Sequence, residues 1–150
     1  MKIKLGLIGG KELDRALQKL STEKKRLVKG EVHASAIDVQ REAKERLKEQ
    51  KAWDTGNLAN TVIVERSPDG MSAEVGPTAP YGVYVEHGAR PHFPPPDALE
   101  GWAKRHGIES AWPICKAISE RGLPARPFLF PAYLAVEGKF FRKLREILAR

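Results

Sequence analysis

Thr61-Val62-Ile63-Val64-Glu65-Arg66, then Ser67-Pro68-Asp69-Gly70, then Met71-Ser72-Ala73-Glu74-Val75-Gly76, is the stretch from which the fold is read. Its first six residues are rich in β-branched side chains, which suit a pleated, half-buried surface. The next four put proline and glycine where a tight turn wants them. Beyond the turn, Met71, Ala73 and Val75 alternate with Ser72, Glu74 and Gly76, the two-residue period of a strand with one buried face. The stretch predicts a β-hairpin, and a hairpin alone is marginal in water, so other elements must cover it.

Helices at the two ends supply that cover. All eleven prolines fall between Pro68 and Pro131, leaving the first 67 and last 19 residues free of the strongest helix breaker. From Lys11 to about Lys51 the apolar positions Leu13, Leu17, Leu20, Leu27, Val32, Ala36, Val39, Ala43 and Leu47 recur mostly at three- and four-residue steps, an amphipathic stripe. Gly30 either divides it into two helices or is carried inside one at a cost of about 1 kcal/mol. Ahead of it, Ile3, Leu5 and Leu7 alternate with Lys4 and Gly6, predicting a short strand. At the other end Pro131 fits the first turn of a last helix whose apolar face is Leu134, Phe141, Leu144 and Leu148.

Between these ends the reading is finer-grained. Asp54-Thr55-Gly56 ends the long helical pattern, and Tyr81 to Glu86 reads as a further short strand or extended segment. Gly88 opens a proline-rich loop, Ala89 to Pro96, which is either a preformed arm for a partner or a stiff crossover tucked onto its own domain. Asp97 with Glu100 reads as a capping box starting a helix through Trp102 that Gly107 stops. A second short helix runs from near Ser110 to Arg121, stopped by Gly122, with Trp112, Ile114 and Ile118 turned inward. The expected class is α+β: a long N-terminal helix and a C-terminal helix packed on a small antiparallel β-sheet, with a Pro-rich loop and short helices inserted.

The chain has 150 residues, which suits one compact domain with a real core. Hydrophobic residues at 41% and charged residues at 30% exclude wholesale disorder, and no apolar run approaches the roughly 20 residues that span a bilayer. The apolar start, Met1 to Gly10, is too short for a signal peptide, so the chain is expected in cytoplasm. The single cysteine, Cys115, rules out an internal disulfide and a multi-cysteine zinc site and reads as a small buried hydrophobe. Net charge is +7, unevenly spread: residues 1–53 hold fourteen basic and eight acidic groups, 54–99 two and six, 100–150 ten and five. Basic ends around an acidic middle suit either nucleic acid or copies of the chain that attract one another.

No set of side chains assembles for catalysis. Glu86, His87 and His92 are near neighbours, but their spacing matches no helical or hairpin ligand pattern. Gly9-Gly10-Lys11 lacks the rest of a phosphate loop, and the serines lack a nucleophile elbow. Lys24-Lys25-Arg26 and Lys29, with Arg142, Lys143 and Arg145, form either a phosphate-binding face or the solvated face of amphipathic helices. Pairs such as Glu42 and Arg46 interleave sign as self-stabilised surface helices do, and no aromatics are interleaved to stack on bases. Catalytic, metal and cofactor sites are therefore expected to be none.

Three segments in order carry a resemblance: Asp54-Thr55-Gly56-Asn57-Leu58, Tyr81-Gly82-Val83-Tyr84-Val85-Glu86-His87-Gly88 and Ala125-Arg126-Pro127-Phe128-Leu129-Phe130-Pro131-Ala132. With the long first helix, the hairpin and the closing helix, they resemble the tail-completion, or tail-component, family of lambdoid long-tailed bacteriophages, over about residues 5 to 148. His87 departs from that pattern, where an aromatic is more usual, and the insert of about residues 89–122 is shared by only some members. The resemblance implies a single tail-completion or neck domain over residues 1–150 and a structural, non-enzymatic virion protein assembled in the host cytoplasm. It implies as partners further copies of the chain in a hexameric ring, the head connector, and the tail terminator or tail tube. Genome DNA would pass through the channel without sequence-specific binding, with no membrane and no cofactor. The motif residues expected to carry structure and interface are Asp54, Thr55, Gly56, Leu58, Tyr81, Tyr84, Glu86, Gly88, Arg126, Pro127, Phe128 and Pro131. Glu86 and Arg126, both beside rigid turns, could pair across the fold or across a subunit boundary, and the pairing across the subunit boundary is the one expected. Two other readings stay open beside assembly: a basic DNA-binding accessory protein, and a small metal-dependent hydrolase or nuclease using Glu86, His87 and His92.

Overall fold

The computed structural model describes residues 1–6, 11–50 and 55–150. Leu7, Gly9, Gly10, Lys51, Asp54 and the side chain of Leu13, all used above, lie outside them. In chain order the elements are β1 (Ile3–Gly6), α1 (Lys11–Gln18), α2 (Thr22–Glu49), α3 (Asn57–Asn60), β2 (Val62–Arg66), β3 (Ser72–Pro77), α4 (Gly82–His87), α5 (Pro96–Arg105), α6 (Trp112–Arg121) and α7 (Leu129–Ala149). The α+β architecture is the expected one.

The hairpin forms where the sequence places it, and β1 joins its far side to give an antiparallel sheet in the order β1-β3-β2. Its turn is held by Ser67 N–H donating to the Ser72 carbonyl and Gly70 N–H to the Ser67 carbonyl, each at 2.9 Å. The Asp69 carboxylate accepts from Met71 N–H and from the Ser67 hydroxyl, which holds it below the usual carboxylate range. Ile3, Val75 and Val64 lie abreast, as do Lys4, Glu74 and Glu65. Alternation therefore gives the sheet an apolar inner face, with Leu5, Val62, Ala73 and Val75 buried, and a charged outer one. On that outer face the like charges of Glu74 and Glu65 are offset by ion pairs to Lys4 and Lys2.

The inner face is covered by α2, which packs on β2, β3 and α7. The expected helical stripe breaks at Ser21 rather than at Gly30. The Ser21 hydroxyl caps α2 by accepting from Lys24 N–H at 3.3 Å, a cap worth about 1 kcal/mol, while Gly30 is carried inside the helix. Val28, Val32, Ala36, Val39, Ala43 and Leu47 make its buried face, so the run starts at Val28, with Leu27 half-buried. The short helix α3 was not expected; it buries Leu58 and Ala59 just before the hairpin.

Helix α7 runs antiparallel to α2, with Lys143 Nζ 3.1 Å from Glu31, Lys139 Nζ 3.2 Å from Asp38, and Lys24 Nζ donating to the Leu148 carbonyl. Its buried residues are Leu129, Ala132, Val136, Phe140 and Leu144. This corrects the expected face: of Leu134, Phe141, Leu144 and Leu148, only Leu144 is buried. The helix has two apolar stripes, and the one with smaller side chains is turned inward.

By compactness the chain divides into two units, Met1–Pro80 with Phe128–Arg150, and Tyr81–Pro127. The first is the sheet with α1, α2, α3 and α7. The second holds α4, α5 and α6, with a small core of Ala103, Ala111 and Cys115 between α5 and α6, against which Leu99, Ile108 and Ile114 pack. Cys115 is buried, as its sequence context predicts.

Three expectations are corrected within the second unit. Tyr81 to Glu86 is not extended, since Gly82–His87 is the helix α4; β propensity reports packing on a sheet, and no strand lies alongside here. Asp97 does not cap α5: Pro95 is the N-cap with no side-chain cap bond and Pro96 starts the helix, while Glu100 accepts from Ala111 N–H instead. Trp112 is 61% exposed rather than turned inward, because the small Ala111 and Cys115 fill the core and its ring lies 5.4 Å from that of Phe93. The proline-rich loop is tucked onto its own unit through that ring pair and through His92 N–H donating to the Ile118 carbonyl.

Candidate functional site

The three motif segments meet different fates. In the first, Gly56 takes a left-handed conformation (φ 76°) ahead of α3, Asn57 N–H is 3.4 Å from the Thr55 hydroxyl, and Leu58 enters the core. Asp54 lies outside the described residues.

The second and third segments are joined to each other by backbone. Arg126 N–H donates to the Val85 carbonyl at 2.7 Å, and Ala89 and Leu123 exchange both N–H to carbonyl bonds, at 3.0 and 2.8 Å. Glycine permits that approach. At Gly88 (φ 74°, ψ −178°) a Cβ would sit 2.5 Å from the Leu123 carbonyl oxygen, and at Gly122 (φ 73°, ψ −159°) one would sit 2.2 Å from that of Ala89. Both dihedral pairs belong to a region essentially closed to L side chains. In the sequence Gly88 belongs to its motif, whereas Gly122 carries only the signal of a helix stop. What the sequence did not show is that the two flank one bridge, since this contact spans more than thirty residues with no periodic signal.

Burial divides the remaining motif residues. Phe128 is fully buried, Glu86 is 3% exposed and Pro131 is half-buried in the first turn of α7. Tyr81 and Tyr84 are 42% and 57% exposed, and Arg126 and Pro127 are exposed. Neither Glu86 nor Arg126 is without a partner in the chain. A carboxylate so deeply buried must be satisfied from within its own fold.

The residues that a chemical site would need are scattered. Beside the buried Glu86, His87 is exposed, and the exposed His92 ring is held by its Nδ1 2.8 Å from the Arg90 carbonyl. Among the described residues no three His, Cys, Asp or Glu side chains stand close enough to hold a metal ion. The basic runs are engaged along the helices: Arg26 with Glu23, whose carboxyl it holds below its usual value, Lys25 on the Gln18 carbonyl, and Arg46 with Glu42. No helix among the described residues is long and apolar enough to cross a membrane.

The fold and these motifs define a protein whose marked residues close its own backbone and leave apolar side chains outside. Residues 11–88 match the family model HK97-gp10-like, described as a bacteriophage HK97-gp10 tail-component, and the chain belongs to that family. It is a bacteriophage tail component, a structural protein of the virion that interacts with other virion proteins. No curated protein and no solved structure matches it.

Proposed function

We propose that the chain is a tail-completion subunit that closes a ring, hexameric in the virion, at the neck between the head connector and the tail terminator or tail tube. One observation carries the reading: among its described residues this tail-component chain leaves eight large hydrophobic side chains exposed outside α7, among them Tyr81, Val83, Tyr84 and Leu123, a surface built for neighbours. In this reading Tyr81, Tyr84, Arg126 and Pro127 face a neighbouring subunit, Glu86 and Gly88 keep the backbone of their own unit closed, and Gly56, Leu58 and Phe128 serve the fold of the first unit. The chain works without turnover, metal or cofactor. Ion pairing along α2 and α7 supports reading their basic runs as solvated faces, so genome DNA passes the ring without sequence-specific contacts.

The test is deletion of the reading frame from the phage genome. Filled heads and finished tails should accumulate unjoined, and the chain supplied in trans should restore joining. Particles that acquire tails normally without it would overturn the proposal.

A further inference from the structure

On α7, Phe130, Leu134, Phe141 and Leu148 are 56%, 51%, 45% and 42% exposed. At 3.6 residues per turn they fall within an arc of about 40°. Leu134, Phe141 and Leu148 are seven residues apart, the spacing of a seam that meets another helix. The seam lies across the helix from Lys139 and Lys143, which α2 engages through Asp38 and Glu31. We propose that it is a self-docking surface: α7 of a second copy lies antiparallel on it, about a two-fold axis at Phe141.

Charge fixes both the occupant and the register. Glu137 borders the seam four residues before Phe141 and Arg145 four residues after it. With the axis at Phe141, Leu134 of one copy faces Leu148 of the other, and Glu137 faces Arg145, twice over. The register two residues away would set Phe130 against Leu148, but it would press the Glu137 carboxylate onto Phe141, leaving a charge desolvated without a partner. Glu137 is half-buried, and its Oε1 accepts from the Tyr133 hydroxyl at 2.7 Å, which orients the carboxylate beside the seam. Arg145 is exposed, and among the described residues no ion pair engages it. A foreign helix would need to bring a matching acid and base at the same spacing; a second copy already has them.

At half exposure the four side chains offer on the order of 350 Å² per copy, against about 800 Å² for a standard interface, so the dimer is weak and concentration-dependent. A two-fold contact closes on itself and cannot propagate around a ring. The dimer is therefore the state of the chain outside the ring, and it stands or falls separately from the neck placement proposed above.

Cysteine cross-linking of the full chain tests it, with Cys115 buried and out of the way. Under mild oxidation Phe141→Cys should give a disulfide-linked dimer. Leu134→Cys and Leu148→Cys should each stay unlinked alone and form a disulfide-linked dimer when mixed in equal amounts. In sedimentation equilibrium Glu137→Arg and Arg145→Glu should each weaken self-association about tenfold, and the double exchange should restore it. A chain that stays monomeric throughout, a Phe141→Cys variant that does not link, or a double exchange as weak as the single ones overturns the proposal.

Discussion

Replacing Gly88 by alanine should open the second unit at its closure. The residue sits at φ 74°, ψ −178°, where a side chain costs on the order of 1–3 kcal/mol in backbone strain alone. The new Cβ would also lie 2.5 Å from the Leu123 carbonyl oxygen and 2.9 Å from Ala125 N, both backbone atoms that cannot swing aside. Relief requires the Ala89–Leu123 bridge to part, losing two hydrogen bonds of about 1 kcal/mol each. Together these come to about 3–5 kcal/mol, or a fall in melting temperature of roughly 10 °C for a chain of this size. Thermal unfolding with amide hydrogen exchange reads both parts: the Ala89 and Leu123 amides, protected in the parent, should exchange freely in the variant. Gly122→Ala attacks the same bridge from the other strand, so the double variant should lose little more than either single one. A Gly88→Ala protein that melts within about 2 °C of the parent with its Ala89 amide still protected would refute the reasoning.

Three further outcomes follow from the geometry. Phe140 is 3% exposed and Phe141 45%, so Phe140→Ala should cost about 3–5 kcal/mol in urea unfolding and Phe141→Ala less than about 1 kcal/mol; equal losses would contradict the assignment of the buried face. Nothing stands within 4 Å of a Cβ built on Gly30 in mid-helix, so Gly30→Ala should stabilise by about 0.5–1 kcal/mol, measured as a raised urea midpoint. Asp69, exposed at the hairpin tip, has its carboxyl lowered chiefly by the Ser67 hydroxyl and then by Met71 N–H, so its contribution to the turn is complete above its unfolded value and is lost as pH falls through the lower folded one. Its NMR titration midpoint should therefore lie below the ordinary aspartate value of 3.8 and move up in Ser67→Ala.

Much of the frame was legible because it rests on periodicity and turn chemistry. The Ser67–Gly70 turn, the alternation in β1 and β3, and the long helical stripe each carry a local signal that the core then rewards. Legibility failed where two local answers were equally apolar. In α7 the stripe through Ala132, Val136 and Phe140 and the stripe through Leu134, Phe141 and Leu148 both satisfy helical spacing, and only packing against α2 and β1 selects between them. Tyr81 to Glu86 misled for a related reason: valine and tyrosine promise a strand only when a neighbouring strand is there to pack on. At the candidate site, the motif residues could be picked out in the sequence but their sorting into buried and exposed could not. Glu86 at 3% and Tyr84 at 57% stand two residues apart on one short helix, and which of them faces inward depends on packing that no local pattern encodes.

The most direct measurement is electron cryomicroscopy of intact particles of the phage that encodes the chain. Density for this fold is expected at the junction of head and tail, in six copies around the tail axis, with Tyr81, Tyr84 and Arg126 at the boundary between neighbours. Purified, infectious particles with no copy of the chain anywhere in the virion would contradict it.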